Sequence, residues 1–271
     1  MTSIIICFYE RLQHLRYCLD SLKFSQDDFD EVVISDDGSS LETVEALTRL
    51  IKSYDFPIRH VWQPKNGFRV AAARNNGIRN AKGDYLIFFD CDFLVLPGTV
   101  KEHTRRAQKG RFVAGNCKYL SAETTEKIFN NQLQSHQIER LYNSIPDDNL
   151  RKEHRKFLTR TFFMRLHLLS PRKQSLGGHF SIHRDDIEKI NGYDENYVGW
   201  GGEDEDLGIR LVMAGIYCRT AITHAKILHM WHPKQINNVK WQEGPNIRYF
   251  STKNKPSLCE NGLKNKGKKC A

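Results

Sequence analysis

No stretch of this 271-residue chain is apolar for long enough to cross a bilayer: the longest, Tyr85 to Leu96, carries Asp90 and Asp92 within it. The start, Met1-Thr2-Ser3-Ile4-Ile5-Ile6, lacks the basic region and the small-residue cleavage site of a secretory leader, so it reads as a first strand. A protein in the cytoplasm, or peripheral on the cytoplasmic membrane face, is expected. The seven cysteines are odd in number and lack any C-x-x-C spacing, which argues against a disulfide framework and a structural zinc site. Acidic residues are outnumbered, 32 against 41 Lys and Arg, but the net +9 is concentrated locally. Residues 151–174 hold eight Lys/Arg and one Glu, and residues 251–271 hold six Lys and one Glu, leaving the rest of the chain at −3. A mildly acidic body with two basic segments is unlike a nucleic-acid reader with a basic face built into its fold; anionic lipid headgroups are the better match.

What is present is alternation. Strand-like runs at Ser3 to Cys7, Glu31 to Ser35, Ile58 to Gln63, Tyr85 to Asp90 and Phe112 to Cys117 are separated by helical patterns. Those patterns are the Leu12, Leu15, Leu19, Leu22 face, then Leu41 to Ser53, Arg69 to Asn80 and Pro97 to Gln108. Such an order predicts an α/β domain with a mainly parallel, Rossmann-like sheet flanked by helices and a ligand site beyond the carboxyl ends of its strands. One domain over residues 1–250 is expected, with a nucleotide-binding half (1–117), a mostly helical basic insertion (118–174) and a catalytic half (175–250), followed by a flexible basic tail (251–271). The insertion is expected to hold a polar helix near Glu123 to Tyr142. Its stretch Arg151 to Leu169 interleaves Phe157, Leu158, Phe162, Met164 and Leu166 with Arg and Lys, which fits either an interfacial helix or a core helix with a solvated rim.

Five clusters carry candidate chemistry, most of them at strand ends or glycine turns. In Asp90-Cys91-Asp92, after an apolar strand, residues i and i+2 face one way, so both carboxylates can converge on a hard cation; they can equally cap a turn. Asp36 and Asp37, before Gly38-Ser39-Ser40, can accept hydrogen bonds from a ribose hydroxyl or a base, or cap the next helix. Arg69, at the start of a small-residue helix, is a candidate anion contact, whereas Arg74 and Arg79 are expected on that helix's solvated side. Gly199-Trp200-Gly201-Gly202-Glu203-Asp204 offers close backbone approach, a flat indole for a sugar ring and a carboxylate able to deprotonate a hydroxyl. His229 and His232, spaced H-x-x-H, either complete a metal site with Asp90 and Asp92 or are structural.

In this order the motifs resemble those of family 2 glycosyltransferases of the GT-A fold, with a second half similar to β-1,4-galactosyltransferases and bacterial chondroitin polymerases, over residues 3–117 and 175–233. The resemblance implies an inverting transfer of a hexose or N-acetylhexosamine from a UDP-sugar to a glycan or lipid-linked glycan hydroxyl, with Mn²⁺ or Mg²⁺. It implies Tyr9, Asp36, Asp37 and Arg69 at the nucleotide, and Asp90 at the ribose or the metal. Asp92 and His232 would ligate the metal, with His229 standing where the family places methionine. Asp204 would be the base, and Gly177, Gly178, His179, Trp200, Gly201 and Glu203 the sugar and acceptor pocket. A noncatalytic reading, in which the basic segments bind membrane or nucleic acid on a vestigial transferase fold, predicts salt-sensitive binding without donor hydrolysis. A sugar-nucleotide-forming enzyme would need a glycine-rich, lysine-bearing loop where Cys7-Phe8-Tyr9-Glu10-Arg11 stands.

Overall fold

The computed structural model describes residues 1–130, 135–174, 176–233, 241–252 and 255–264. Its first half alternates as the sequence predicts: β1 (Thr2–Phe8), α1 (Leu12–Leu22), β2 (Glu31–Asp36), α2 (Leu41–Ile51), β3 (Ile58–Trp62), α3 (Val70–Asn80) and β4 (Tyr85–Asp90). There follow β5 (Phe93–Val95), α4 (Thr99–Arg105), β6 (Arg111–Gly115) and β7 (Lys118–Tyr119), then the helices α5 (Ala122–Phe129), α6 (Ser135–Ser144) and α7 (Asp148–Arg165). The second half is β8 (His179–His183), α8 (Arg184–Lys189), α9 (Glu203–Met213), β9 (Tyr217–Thr220), β10 (Ile227–His229) and α10 (Ile247–Phe250).

The main sheet has seven strands in the order β3-β2-β1-β4-β8-β6-β9. All neighbours are parallel except at β8, which runs against both β4 and β6. Because side chains alternate across a strand, Ile4, Ile6, Val32, Ile34, Ile87 and Phe89 enter one apolar cluster, while Ile5, Val33, Leu86 and Phe88 enter the cluster on the opposite face. A sheet covered on both faces explains why its strands read as continuous apolar runs. A second sheet, β5-β10-β7, was not foreseen: its strands are two or three residues long, too short for a period to show.

The insertion is helical, as expected, but the single polar helix proposed for Glu123 to Tyr142 is α5 and α6, with residues 131–134 outside the described residues. α7 buries Leu150, Phe157 and Met164. His154 Nδ1 lies 3.2 Å from Thr220 Oγ1 of β9, so the helix covers the edge of the main sheet. No helix among the described residues is long and apolar enough to cross a membrane.

The expectation of a flexible tail is corrected for residues 255–264. Asn191 Nδ2 donates to the carbonyls of Cys259 (2.9 Å) and Lys264 (2.8 Å), and Arg79 reaches the carbonyls of Gly262 and Leu263. Cys259 is buried, and Lys255 lies 3.0 Å from the Tyr197 hydroxyl. A polar composition suggested solvation, but these contacts are made through backbone carbonyls, which composition does not report. Residues 253–254 and 265–271 lie outside the described residues.

Candidate active site

β4 ends at Asp90 and β5 begins at Phe93, so Asp92 occupies the turn between the two sheets. Its carbonyl accepts from Met230 N at 2.9 Å, and antiparallel pairing sets His229 opposite Phe93. That register carries the histidines to the aspartate: His229 Nε2 lies 3.6 Å from Asp92 Oδ1 and His232 Nε2 lies 3.2 Å from Oδ2. One ligand atom from each of Asp92, His229 and His232 falls within 4.8 Å of the others, a group able to hold a metal ion. Asp92 Oδ1 is buried without a hydrogen-bond partner, the condition of a carboxylate built to face a cation. Burial acts to raise the Asp92 carboxyl, but the His232 hydrogen bond and the charges of His229, His232 and Arg11 outweigh it and hold it below the usual range. Arg11, which the sequence reading passed over, donates from Nη1 to Asp92 Oδ2 at 3.1 Å.

Asp90 stands outside that triplet, which corrects its assignment as a direct partner of the histidines. Its Oδ1 lies 3.5 Å from Arg74 Nη2 instead, because the strand end directs it toward α3. Lost hydration pushes its carboxyl up to about 6 against the pull of Arg74, with Asp92 and Asp204 adding to the rise.

Arg74 overturns the expectation of a solvated residue. Its guanidinium is nearly enclosed, donating from Nη1 to Asp204 Oδ1 at 2.7 Å, with Glu203 Oε1 at 3.7 Å. The Tyr193 hydroxyl donates to the same Asp204 oxygen at 3.1 Å. Period alone could not find this, since α3 is covered by the sheet on one side and by the second half of the chain on the other. The two distant acidic motifs therefore share one cleft, linked by a single cation.

Asp204 and Glu203 open α9 after Gly201 and Gly202, whose φ values of 94° and 93° are left-handed and cost a glycine little. The loop is pinned from both sides: Gly199 N donates to the Phe68 carbonyl at 2.8 Å, and Asn246 Nδ2 donates to the Gly201 carbonyl at 2.9 Å. Trp200 leaves its indole substantially exposed at this loop. Glu203 is buried with Oε2 unpartnered, and burial followed by the neighbouring Asp204 pushes its carboxyl up to about 8.

At the other end of the cleft, Asp37 accepts from Arg69 N and Gln63 Nε2, both at 2.8 Å, and burial raises its carboxyl. Arg69 caps α3 with its Nε buried and without a hydrogen-bond partner. The Tyr9 ring carries Lys65 Nζ 3.3 Å above its centre. Asp36 is not available to a ligand: it is wholly buried and takes Ser39 N, Ser39 Oγ and His60 Nε2. His179 likewise forms no pocket wall. Its Nδ1 meets His103 Nε2 at 2.9 Å and its Nε2 meets the Asn116 carbonyl at 3.2 Å, and burial lowers it to about 4, so it stays neutral. Gly177 and Gly178 serve a close crossing of β6. Gly178 N donates to the Gly115 carbonyl at 2.9 Å, and a Cβ on Gly177 would lie 2.2 Å from that oxygen.

The family model "Glycosyl transferase family 2" matches residues 3–171, and the model "N-terminal domain of galactosyltransferase" matches residues 159–233. A chondroitin synthase of Escherichia coli is 30% identical over 270 residues, covering 90% of this chain; the chain spans 37% of that protein's length. Among solved structures, the mannosyltransferase PcManGT from Pyrobaculum calidifontis, in complex with GDP-Man and Mn²⁺, superposes with a TM-score of 0.55 at 17% identity, covering 86% of this chain and 57% of that one. S. aureus TarS 1-349 in complex with UDP-GlcNAc superposes with a TM-score of 0.56 at 14% identity, covering 86% and 59%. At those identities the structural likeness concerns the fold, which is the GT-A α/β fold.

Proposed function

The chain belongs to glycosyl transferase family 2, and from that premise we propose that it transfers a hexose or N-acetylhexosamine from a UDP-sugar to a glycan hydroxyl with inversion at the anomeric carbon. The observation that carries this reading is the position of Arg74, whose guanidinium lies against Asp90 on one side and Asp204 on the other. This supports a diphosphate seat on the Asp90 side of Arg74 and a base on the Asp204 side.

In the transfer, Asp204 accepts the proton of the acceptor hydroxyl as that oxygen bonds to the anomeric carbon and the bond to the departing diphosphate breaks. Arg74 and Tyr193 grip one oxygen of Asp204 and fix the plane of its carboxylate. Asp92, His229 and His232 have the donor set for Mn²⁺, or less well Mg²⁺, and would hold it; a bound cation there supplies charge to the leaving diphosphate. Asp37, Arg69 and Tyr9 line the far end, where hydrogen-bond acceptors and a flat ring suit a nucleoside. Glu203, whose carboxyl burial pushes up to about 8, offers a buried donor three residues after the exposed Trp200, and the two suit a sugar hydroxyl and a sugar face.

The neighbours with bound GDP-Man and Mn²⁺, and with UDP-GlcNAc, support a nucleotide-sugar donor and a metal. The test is a panel of UDP- and GDP-sugars assayed for Mn²⁺-dependent hydrolysis and transfer. Release of UDP from at least one donor is expected, and silence across the panel with every metal would overturn the reading.

A further inference from the structure

α7 is a core helix on one side and a solvated one on the other, and the interfacial expectation for residues 151–169 turns on that solvated side. The inner side, with Leu150, Phe157 and Met164, is closed over β9, where His154 Nδ1 meets Thr220 Oγ1. The outer side keeps large apolar groups in solvent: Leu158, Phe162, Phe163, Leu166 and Leu168 are between 41% and 70% exposed. Leu158, Phe162 and Leu166 recur at intervals of four, forming one line along the helix, and Arg151 and Arg155 continue that line toward its N-terminus. Lys152 and Lys156 flank it.

We propose that this outer face of α7 docks the protein on a phospholipid bilayer rich in anionic headgroups, with the apolar C-terminal half entering the interface and the basic N-terminal half lying on the headgroups. The occupant follows from two properties of the same surface. Isolated apolar residues on a surface need no partner, but five large ones at one helix end, next to Arg and Lys, match an interface that is hydrocarbon below and negative above. A second copy of the chain fits poorly: pairing this face along its length sets Arg151, Lys152, Arg155 and Lys156 against their own charge when parallel, and against Phe162 and Leu166 of the copy when antiparallel. Docking would hold the cleft at the surface where a lipid-borne acceptor resides, although the surface itself stands whether or not the transfer proposed above is correct.

The test is flotation of the full chain with phosphatidylcholine vesicles, with and without phosphatidylglycerol. Binding is expected only with phosphatidylglycerol and is expected to weaken with salt. Two double variants, Phe162→Ser with Leu166→Ser and Lys152→Glu with Arg155→Glu, should each lower the bound fraction by at least about tenfold. Their melting temperature and donor hydrolysis in solution should be unchanged, since none of these side chains reaches the cleft. Deleting residues 265–271, which add Lys266, Lys268 and Lys269, should leave binding in place. Three results would each overturn the proposal: no flotation of the native chain, flotation unaffected by either double variant, or a native dimer that both double variants dissolve.

Discussion

Arg74 donates to Asp204 at 2.7 Å while its other terminal nitrogen lies 3.5 Å from Asp90, so one side chain from the first half of the chain positions the carboxylate contributed by the second. Replacing Arg74 with Ala leaves Asp90, Glu203 and Asp204 without their shared cation. Transfer is expected to fall by about a hundredfold or more. Arg74→Lys restores charge but not the fork that reaches two carboxylates, so it should recover only part of the rate. A steady-state assay of both variants, with circular dichroism to confirm the fold, decides this.

Asp204→Asn keeps the shape and the hydrogen bonds from Arg74 and Tyr193 but removes the proton acceptor. Turnover should drop by roughly 10³-fold with UDP affinity and melting temperature held. Turnover close to that of the native enzyme would take the base role away from Asp204.

Chelation should abolish activity and Mn²⁺ should restore it. His232→Ala, which removes an imidazole from the triplet around Asp92, should weaken Mn²⁺ binding by at least about tenfold in calorimetry with UDP. His229→Met exchanges a harder nitrogen for a softer sulfur and should alter the order of preference among Mn²⁺, Mg²⁺ and Co²⁺. Identical metal titrations for all three proteins would dismiss the triplet.

Glu203 gives a pH dependence whose sign is fixed by its raised carboxyl. In the unfolded chain it titrates near the ordinary 4.5, and in the fold at about 8, so between those values the native state binds the extra proton. Its contribution to stability is complete below about 4.5 and is lost as pH rises toward about 8. The native protein should therefore melt at progressively lower temperature from pH 5 to 8, and Glu203→Gln should flatten that slope. Parallel melting profiles for the two proteins would show that Glu203 is already ionised.

Truncation separates the docked part of the carboxyl-terminal segment from the rest. Ending the chain at Lys264 should be neutral. Ending it at Thr252 removes Cys259 and Leu263 from the core and the carbonyls that serve Asn191 and Arg79, and should lower the melting temperature by several degrees. Equal melting points for the two truncations would mean that the docked segment adds nothing to the fold.

Most of the parallel half of the fold was legible because buried strands announce themselves: Tyr85–Asp90 is the strand the apolar run predicts, and β1 and β2 differ from prediction by a residue or so at their ends. The candidate metal triplet was legible only in part. Asp92 follows a visible strand, but its histidines arrive through β10, which is too short to show a period. Arg74 was misjudged because a helix covered on two sides hides its cations as well as its alanines. Asp36 and Asp37 are adjacent in sequence, yet only Asp37 borders the cleft, since alternation along the strand end turns Asp36 inward toward His60. Residue type named the candidates in each case, and direction of the side chain decided which of them faces the candidate site.

The small sheet formed by β5, β10 and β7 also sets an order on the birth of the protein. A ribosome that has released only the first half presents Asp92 with an open oxygen and no imidazole beside it, because His229 and His232 are still to be made. The three candidate ligands come together only when β10 is laid against β5. The first half alone therefore carries one of the three candidate ligands, and the other two reach it only through the second half.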